Sequence, residues 1–301
     1  MSLKEKIENN IAVFFLGTII TGFLAGIGTY EAILEIAELE VVHENSVIKK
    51  DDSSIIINRF IEDLTNDDYK VKDDAKYAIS KIGEPAIPLL IKALEEGNSE
   101  LKKEAALLLG EFKAKSASKS LSNALDDNDQ YVRGAAVTAL GDIGDRNYIR
   151  QLCTALKDKE PLVRKRAAMA LGKMKAKEAK DELLIALNDK DTDVISSAAR
   201  AVGEIRISEA EEKLLDLMDH PNSSIKENSA YALGMIKAVS SVDKLIRALD
   251  DKDNRVRAEA ADALGEIGDI DAIEPLEKAT TDSDYWVRSK AKWSLRKIKG
   301  R

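Results

Sequence analysis

Few side chains in this sequence are suited to nucleophilic, acid–base or soft-metal chemistry. The 301 residues include one cysteine, Cys153, and two histidines, His43 and His220. Histidine-based metal sites and most acid–base catalysis at neutral pH need several such groups close together. Cys153 stands where equivalent segments of the chain carry leucine or isoleucine, so we expect a partly buried apolar side chain. We therefore predict no catalytic, cofactor-binding or metal-binding residue, and no enzymatic activity.

Charged pairs recur at a spacing of four residues. The pairs are Asp129 with Arg133, Asp253 with Arg257, and Asp284 with Arg288. A row of arginines could bind anions, but an aspartate at a helix start also caps the helix and can pair with a cation one turn later. We favour the structural interpretation and expect a ladder of caps and ion pairs along the molecule.

These pairs belong to a longer repeat. Segments 132–141, 163–172 and 256–265 are close copies that begin with Val-Arg and end with Ala-Leu-Gly. We call the leading aliphatic residue of each copy the marker. The markers, separated by 30 residues once and by 31 residues six times, are Val71, Leu101, Val132, Val163, Val194, Ile225, Val256 and Val287. Such a fixed period indicates an array of small units that stack on one another.

Each unit is predicted to be a helical hairpin. In the copy that begins at Val132, apolar residues follow four, seven, eight and eleven positions later, which is the spacing of one helix face. A large apolar residue eleven positions before each marker predicts a first helix: Phe60, Leu90, Leu121, Leu152, Leu183, Leu214, Leu245 and Leu276. Glycine nine positions after the marker is expected to let adjacent helices approach closely: Gly110, Gly141, Gly172, Gly203, Gly234 and Gly265.

The repeat resembles a known family. The 31-residue period, the core Val-Arg-x-x-Ala-Ala-x-Ala-Leu-Gly and the aspartate three residues before the marker resemble HEAT repeats of the short, PBS-lyase-like (bilin-lyase-like) subclass. The resemblance covers residues 55–298. It implies an all-α fold, a right-handed α-solenoid of eight hairpins whose second helices line a concave surface. It leaves the function open, since chromophore lyases, hydroxylases, DNA-repair proteins and scaffolds use such repeats.

One position of the second helix varies while its neighbours do not. Six residues after the markers lie Tyr77, Leu107, Thr138, Met169, Arg200, Tyr231, Asp262 and Trp293, which we call the stripe. Aromatic residues, methionine and arginine are favoured on protein-binding surfaces. We therefore predict that the stripe binds a protein or peptide partner. The alternative is that these positions are half-buried and hold whatever side chain packs there.

The N-terminal segment has the length and composition of a membrane anchor. Residues 9–30 contain no charged side chain, and Ile11–Gly28 fits the roughly 20 apolar residues that cross a bilayer as a helix. The alternative is a cleaved signal peptide with Lys4 and Lys6 as its positive region. We favour a single-pass transmembrane helix within residues 1–30, followed by a juxtamembrane helix and linker (31–54) and by the repeats (55–301).

Flanking residues suggest an orientation and a contact for this segment. Lys4 and Lys6 precede it and acidic residues follow it, so the positive-inside rule favours extracytoplasmic repeats, with the cytoplasmic orientation as the alternative. Thr18, Gly22 and Gly26 share a helix face that could support a homodimer in the membrane, although glycine is simply common in membrane helices.

Charge bounds the choice of partner. A net charge of −8 disfavours a nucleic-acid binder, which needs a basic surface. The run 288–301 has seven cations and no acid, and we expect it to stabilise the end of the last helix, with anionic lipid as an alternative ligand. We expect a membrane-tethered scaffold that binds a protein on its concave face without a cofactor. Two alternatives stay open: a lyase- or chaperone-like factor acting on a bound prosthetic group or small molecule, and a structural spacer or self-assembling module.

Overall fold

A computed structural model describes residues 50–300 of the chain. The predicted membrane segment (9–30), with the helix face of Thr18, Gly22 and Gly26, lies outside the described residues. Between residues 50 and 300, no helix combines the length and the apolarity needed to cross a bilayer.

This part of the chain is a succession of sixteen α-helices with no β-strand among the described residues. The helices are α1 (Lys50–Asp63), α2 (Tyr69–Ile82), α3 (Ile87–Glu96), α4 (Ser99–Glu111), α5 (Ser118–Ala124), α6 (Gln130–Ile143), α7 (Ile149–Ala155), α8 (Pro161–Lys173), α9 (Lys180–Ala186), α10 (Thr192–Ile205), α11 (Glu211–Leu217), α12 (Ser223–Ile236), α13 (Val242–Ala248), α14 (Asn254–Ile267), α15 (Ile273–Ala279) and α16 (Tyr285–Lys299). A 3₁₀ turn precedes every odd-numbered helix from α3 onward. Odd- and even-numbered helices are the first and second members of eight hairpins, as the repeat predicts.

The described residues divide into two compact units, with the boundary between residues 93 and 94. In the described part of the first unit, α1 packs on α2, and Phe60, Leu64 and Ile79 are buried in the core. In the second unit, each hairpin from α5–α6 onward buries the same two kinds of residue, whereas the marker Leu101 on α4 is only partly buried. The leucine eleven positions before the marker and the marker itself are both fully buried, as Leu121 and Val132 show. The predicted hairpin core is therefore confirmed for the last six hairpins.

Glycine sets how closely successive second helices approach. A Cβ atom on Gly141 would lie 3.0 Å from the Cα atom of Ala170 and 2.6 Å from its Cβ atom. A Cβ atom on Gly234 would lie 2.7 Å from the Cα atom of Ala263. Close-packed helices cannot accept such distances without moving apart. The close stacking predicted from these glycines is confirmed.

In the second unit, the layer of second helices is packed more closely than the layer of first helices, which we call the outer layer. Consecutive second helices from α4 to α16 pack along their length, whereas consecutive first helices do not pack comparably. Since a small rotation per repeat bends a stack towards its tighter side, the second helices of this unit form its inner layer. Their free surface is called the inner face below.

The predicted aspartate caps are present. Asp129 Oδ1 accepts hydrogen bonds from the backbone N–H groups of Tyr131 (2.7 Å) and Val132 (3.4 Å) at the start of α6. Asp253 and Asp284 cap α14 and α16 in the same manner. Each cap satisfies N–H groups that a helix start otherwise leaves without partners.

The ion pairs differ from the prediction. Arg133 does not pair with Asp129; its Nε and Nη2 atoms donate to the two carboxylate oxygens of Asp158, at 2.8 and 2.9 Å, in the next hairpin. Its Nη1 atom donates to the carbonyl oxygens of Asp127 (2.9 Å) and Asn128 (3.0 Å). The reason is that Asp129 already accepts from its own helix, while stacking brings the following loop against Arg133. The guanidinium thus joins two consecutive loops.

The same connection recurs along the second unit, and we call the set the ladder. Its members are Lys102–Asp127, Arg133–Asp158, Arg164–Asp189, Lys226–Asp251 and Arg257–Asp282. Arg257 therefore pairs with Asp282 and not with Asp253, and Arg288 donates to the carbonyl oxygens of residues 282 and 283 and not to Asp284. Although burial alone would raise the pKa of Asp158, the hydrogen bond and charge of Arg133 lower that pKa below its ordinary value.

One step of the ladder is missing. In the fifth hairpin Ile195, 8% exposed, replaces the cation, and in the sixth hairpin His220 replaces the acid. His220 Nδ1 accepts the backbone N–H of Asn222 at 3.1 Å, which reproduces the loop bond that ladder aspartates accept elsewhere. The contact between the fifth and sixth hairpins, which we call the seam, therefore keeps the loop hydrogen bond but has no ion pair at Ile195 and His220.

Candidate protein-binding surface

The stripe residues of the second unit lie on its inner layer, and every stripe position is accessible. Four of its residues are exposed and four are partly exposed: Tyr77, Met169, Arg200 and Trp293, and Leu107, Thr138, Tyr231 and Asp262, respectively. Other positions of the same helices are buried; in α6, for example, Ala136, Ala139 and Leu140 are fully buried. Tyr77 belongs to the first unit and the other seven stripe residues to the second. The exposed members are thus surface side chains, while the partly exposed ones also pack.

The structure brings Arg200 and Tyr231 together. The Arg200 guanidinium carbon lies 4.9 Å from the centre of the Tyr231 ring, within the range of a cation–π contact. Arg200 Nε also donates to Glu204 Oε1 at 3.2 Å, one turn along the same helix. Burial first, and then the charge of Glu204, raises the pKa of the Tyr231 hydroxyl. The pair presents a flat, partly covered surface of the kind that protein interfaces favour.

A polar network joins the fifth and sixth hairpins where the ladder is interrupted. Asn228 Nδ2 donates to Ser196 Oγ at 2.8 Å, and Ser196 Oγ donates to the carbonyl oxygen of Ser224 at 3.2 Å. Arg200 Nη1 reaches Asn228 Oδ1 at 3.5 Å. These two hairpins are therefore joined by hydrogen bonds on the inner face, whereas the other hairpins of the second unit are joined by a ladder ion pair.

Other stripe residues are engaged within the chain. Asp262 forms an ion pair with Lys290 of the following hairpin, so this acid is already neutralised. The Nζ atom of Lys297 lies 4.6 Å from the centre of the Trp293 ring and also pairs with Glu266. Part of the C-terminal basic run is therefore paired with the preceding hairpin.

The sequence prediction missed inner-face residues beside the stripe. Tyr131 and Trp286, one position before their markers, are 54% and 66% exposed. Arg166 and Glu259, three positions after their markers, lie on the same face as the stripe. These positions vary between hairpins as much as the stripe does, so comparing whole helix faces would have found them.

Glu259 is a half-buried acid with no hydrogen bond or ion pair among the described residues. Burial, followed by the negative charges of Asp262 and Glu227, raises its pKa to about 7, while the positive charges of Lys290 and Arg200 oppose the rise. Its carboxyl group is therefore partly protonated at neutral pH, unlike the ladder aspartates.

Three overlapping stretches of the sequence, residues 118–203, 181–253 and 211–296, match the family of HEAT repeats. Together they span more than half of the chain. The chain belongs to the HEAT-repeat family. Among curated protein sequences, none matches it significantly.

Solved structures share the fold of this HEAT-repeat protein. Escherichia coli YibA is 18% identical with a TM-score of 0.64, covering 86% of this chain and 100% of that one. A chain of the CpcE–CpcF complex of phycocyanin lyase from Nostoc sp. PCC7120 matches at 23% identity and a TM-score of 0.51, covering 71% of this chain and 94% of that one. Kap95p, in a structure with RanGDP, matches at 16% identity and a TM-score of 0.56, covering 99% and 48%. At these identities the likeness shows the fold alone.

Reactive groups are scattered in the described part of this HEAT-repeat array. Between residues 50 and 300, no three His, Cys, Asp or Glu side chains are grouped as a metal site. Cys153 on α7 is 9% exposed, which confirms the predicted burial. Burial raises the pKa of its thiol to about 11, so the thiol stays protonated at neutral pH.

Proposed function

We propose that this HEAT-repeat protein is a scaffold that binds a protein partner on the inner face of its second helices. The observation that carries the proposal is the accessibility of the stripe. From the third hairpin onward the leucine and the marker are buried while the stripe position stays accessible, and large side chains such as Met169 (55% exposed) and Trp293 (40% exposed) occupy it. Exposed methionine and tryptophan gain most from burial against a partner.

The surroundings of these side chains support the same proposal. Most inner-face charges are paired within the chain, as Lys290 is with Asp262 and Arg200 with Glu204. A surface whose charges are already paired loses less on desolvation than one with free charges, so a partner can cover it at a lower cost. Two of the structures that share this fold, a chain of the CpcE–CpcF complex and Kap95p with RanGDP, were likewise determined together with another protein.

We also propose that residues 9–30 tether the scaffold to a membrane, with residues 31–54 as the connection. The uncharged segment carries this part of the proposal, and the lysines before it favour extracytoplasmic repeats. A tag after Arg301 should stay with the membrane during carbonate extraction and be cleaved by external protease on intact cells. A tag released by carbonate would contradict the tether, and a retained but protected tag would reverse the orientation.

Site-specific photo-crosslinking tests the binding face in the full chain. Benzoylphenylalanine at position 169 samples the inner face, and at position 185 it samples the outer layer, since Ile185 lies on a first helix and is 67% exposed. We expect heterologous protein adducts from position 169 and few from position 185. Equal yields from both positions would contradict the proposal, and adducts with a second copy would favour a self-assembling module.

A further inference from the structure

Arg166 differs from the other inner-face cations of the second unit in having no partner among the described residues. The others each have a carboxylate oxygen within 4.0 Å, and they are Lys103, Lys165, Lys173, Arg200, Arg255, Lys290 and Lys297. Arg166 forms no hydrogen bond, ion pair or ring contact with any described residue. Its neighbour Lys165, by contrast, pairs with Asp193 at 2.8 Å.

The Arg166 side chain is held against the preceding second helix. A Cβ atom on Gly134 would lie 3.1 Å from its Cδ and Nη1 atoms and 3.4 Å from its Cζ atom, so the guanidinium occupies space that a side chain at 134 would fill. The corresponding position holds Lys103 and Lys165 in the hairpins on either side. Thr138 Oγ1, one turn further, donates to the Gly134 carbonyl oxygen at 3.0 Å. The absence of a side chain at Gly134 therefore leaves room for the Arg166 guanidinium, and we call these two positions the seat residues.

This placement leaves the guanidinium partly removed from water, with no compensating acid between residues 50 and 300. Burial accordingly lowers the pKa of Arg166, whereas the acid that binds Arg164, two residues earlier, raises the pKa of that ladder arginine. A half-buried arginine that retains all its donors is suited to bind a carboxylate through two parallel hydrogen bonds. Apolar surface adjoins it, because Tyr131 and Met169, each one helical turn from a seat residue, are 54% and 55% exposed.

We propose that the partner bound on the inner face supplies an aspartate or glutamate side chain to Arg166, with a neighbouring apolar side chain against Met169 or Tyr131. This rests on the proposed function and names the chemistry of its partner: an acidic segment that also carries a hydrophobic residue. The proposal deepens the stripe prediction by placing the specific polar contact at the fourth hairpin. Arg166 is the specificity-determining residue and the exposed apolar side chains are the anchors.

Selection from a phage-displayed library of random 12-residue peptides on the immobilised full chain tests the proposal. We expect enrichment of peptides in which Asp or Glu stands near a large apolar residue. The best such peptide should bind Arg166→Gln on the order of 10-fold more weakly, the loss typical of one charge-assisted contact. Lys165→Gln is the matched control, since it removes the same charge one residue away, and it should change binding by less than about 2-fold.

Gly134→Ala provides a second variant that keeps every charge. Its new Cβ atom should displace the flexible end of Arg166 and weaken the peptide, while alanine favours the helix and so keeps the chain folded. Enriched peptides with no acidic preference, or an acidic preference unchanged in Arg166→Glu, would overturn the assignment of Arg166 and leave the binding face standing. Absence of any enriched peptide would count against both. Arg166-dependent sedimentation with phosphatidylserine vesicles in place of peptide binding would also overturn it and identify a lipid headgroup.

Discussion

The cations of the ladder and the side chains of the inner face lie on the same second helices, yet the two sets follow opposite rules. In the ladder, each guanidinium has a carboxylate from the next hairpin, and Arg133 and Asp158 keep only 7% and 13% of their side chains exposed. On the inner face, side chains differ from one hairpin to the next, and Arg166 and Glu259 have no partner among the described residues. The comparison teaches that an array can fix its stacking with one set of positions and leave another set free for recognition.

Removing one ladder partner should have the largest effect on stability. Arg133→Ala leaves the half-buried Asp158 carboxylate without its two strongest donors, and we expect a loss of about 3 kcal/mol or more in the free energy of unfolding. Arg200→Ala on the inner face should cost within about 0.5 kcal/mol, since its side chain is 54% exposed. Urea unfolding followed by circular dichroism measures both free energies. Similar losses for the two variants would contradict the assignment of stacking to the ladder and of recognition to the inner face.

Two glycines on α6 offer a matched pair of substitutions. Gly141→Ala places a Cβ atom 2.6 Å from the Cβ atom of Ala170 between two packed helices, and we expect a loss of about 1–3 kcal/mol. Gly134→Ala meets only the flexible end of Arg166, and helix propensity should make it neutral or stabilising by about 0.5–1 kcal/mol. Thermal unfolding of the two variants checks the contrast. Equal destabilisation would mean that position 134 is also a packing position.

The pH dependence of stability should also differ between the inner face and the ladder. The pKa of Glu259 is raised to about 7 in the folded chain, so the folded state binds more protons than the unfolded state between its ordinary value near 4.5 and pH 7. Stability should fall as the pH rises through that window, and Glu259→Gln should regain roughly 1–2 kcal/mol at pH 8 but little at pH 5. Glu111→Gln, on the exposed end of α4, is the charge-matched control. A Glu259→Gln gain that is the same at both pH values would contradict this account.

The ladder aspartates should change stability with pH in the opposite direction to Glu259. Their pKa values are lowered in the folded state, so the stability that they contribute is present above pH 4 and is lost as the pH falls further. Acid unfolding of wild type should therefore begin below pH 4.

Restoring the missing ladder step should give the smallest net change. Ile195→Arg alone buries a cation beside His220, and His220→Asp alone places an acid beside Ile195, so each should destabilise. The double variant recreates the arrangement of the adjacent steps, and a double-mutant cycle should show a favourable coupling of about 1–3 kcal/mol. Additive losses would show that this seam differs from the others in more than its ion pair.

The fold was readable from the sequence because its causes are local and periodic. The buried leucines, the aspartate caps and the glycine contacts each follow from one residue type at one position of the 31-residue period. The ladder pairing was predicted wrongly because Asp129 and Arg133 are one helical turn apart, while the true partner, Asp158, is 25 residues away along the chain. Its place depends on how consecutive loops stack, which the spacing within one helix does not reveal.

The inner face was predictable in part for the same reason. Variation at one helical position identified the stripe, which is accessible along its whole length. The free state of Arg166 was not predictable, because Lys165 beside it looks equivalent in the sequence. Only the three-dimensional neighbours, Asp193 for one and Gly134 for the other, distinguish them.

The measurement that most directly tests the separation of stacking and recognition combines binding and stability in one variant. Benzoylphenylalanine at position 169 is introduced into the full chain with and without Tyr231→Ala and Trp293→Ala, and adduct yield and melting temperature are measured for both. We expect the double substitution to lower the yield on the order of 10-fold, as hot-spot aromatics do, with the melting temperature nearly unchanged. An unchanged yield, or a melting temperature that falls as far as that of Arg133→Ala, would contradict the account.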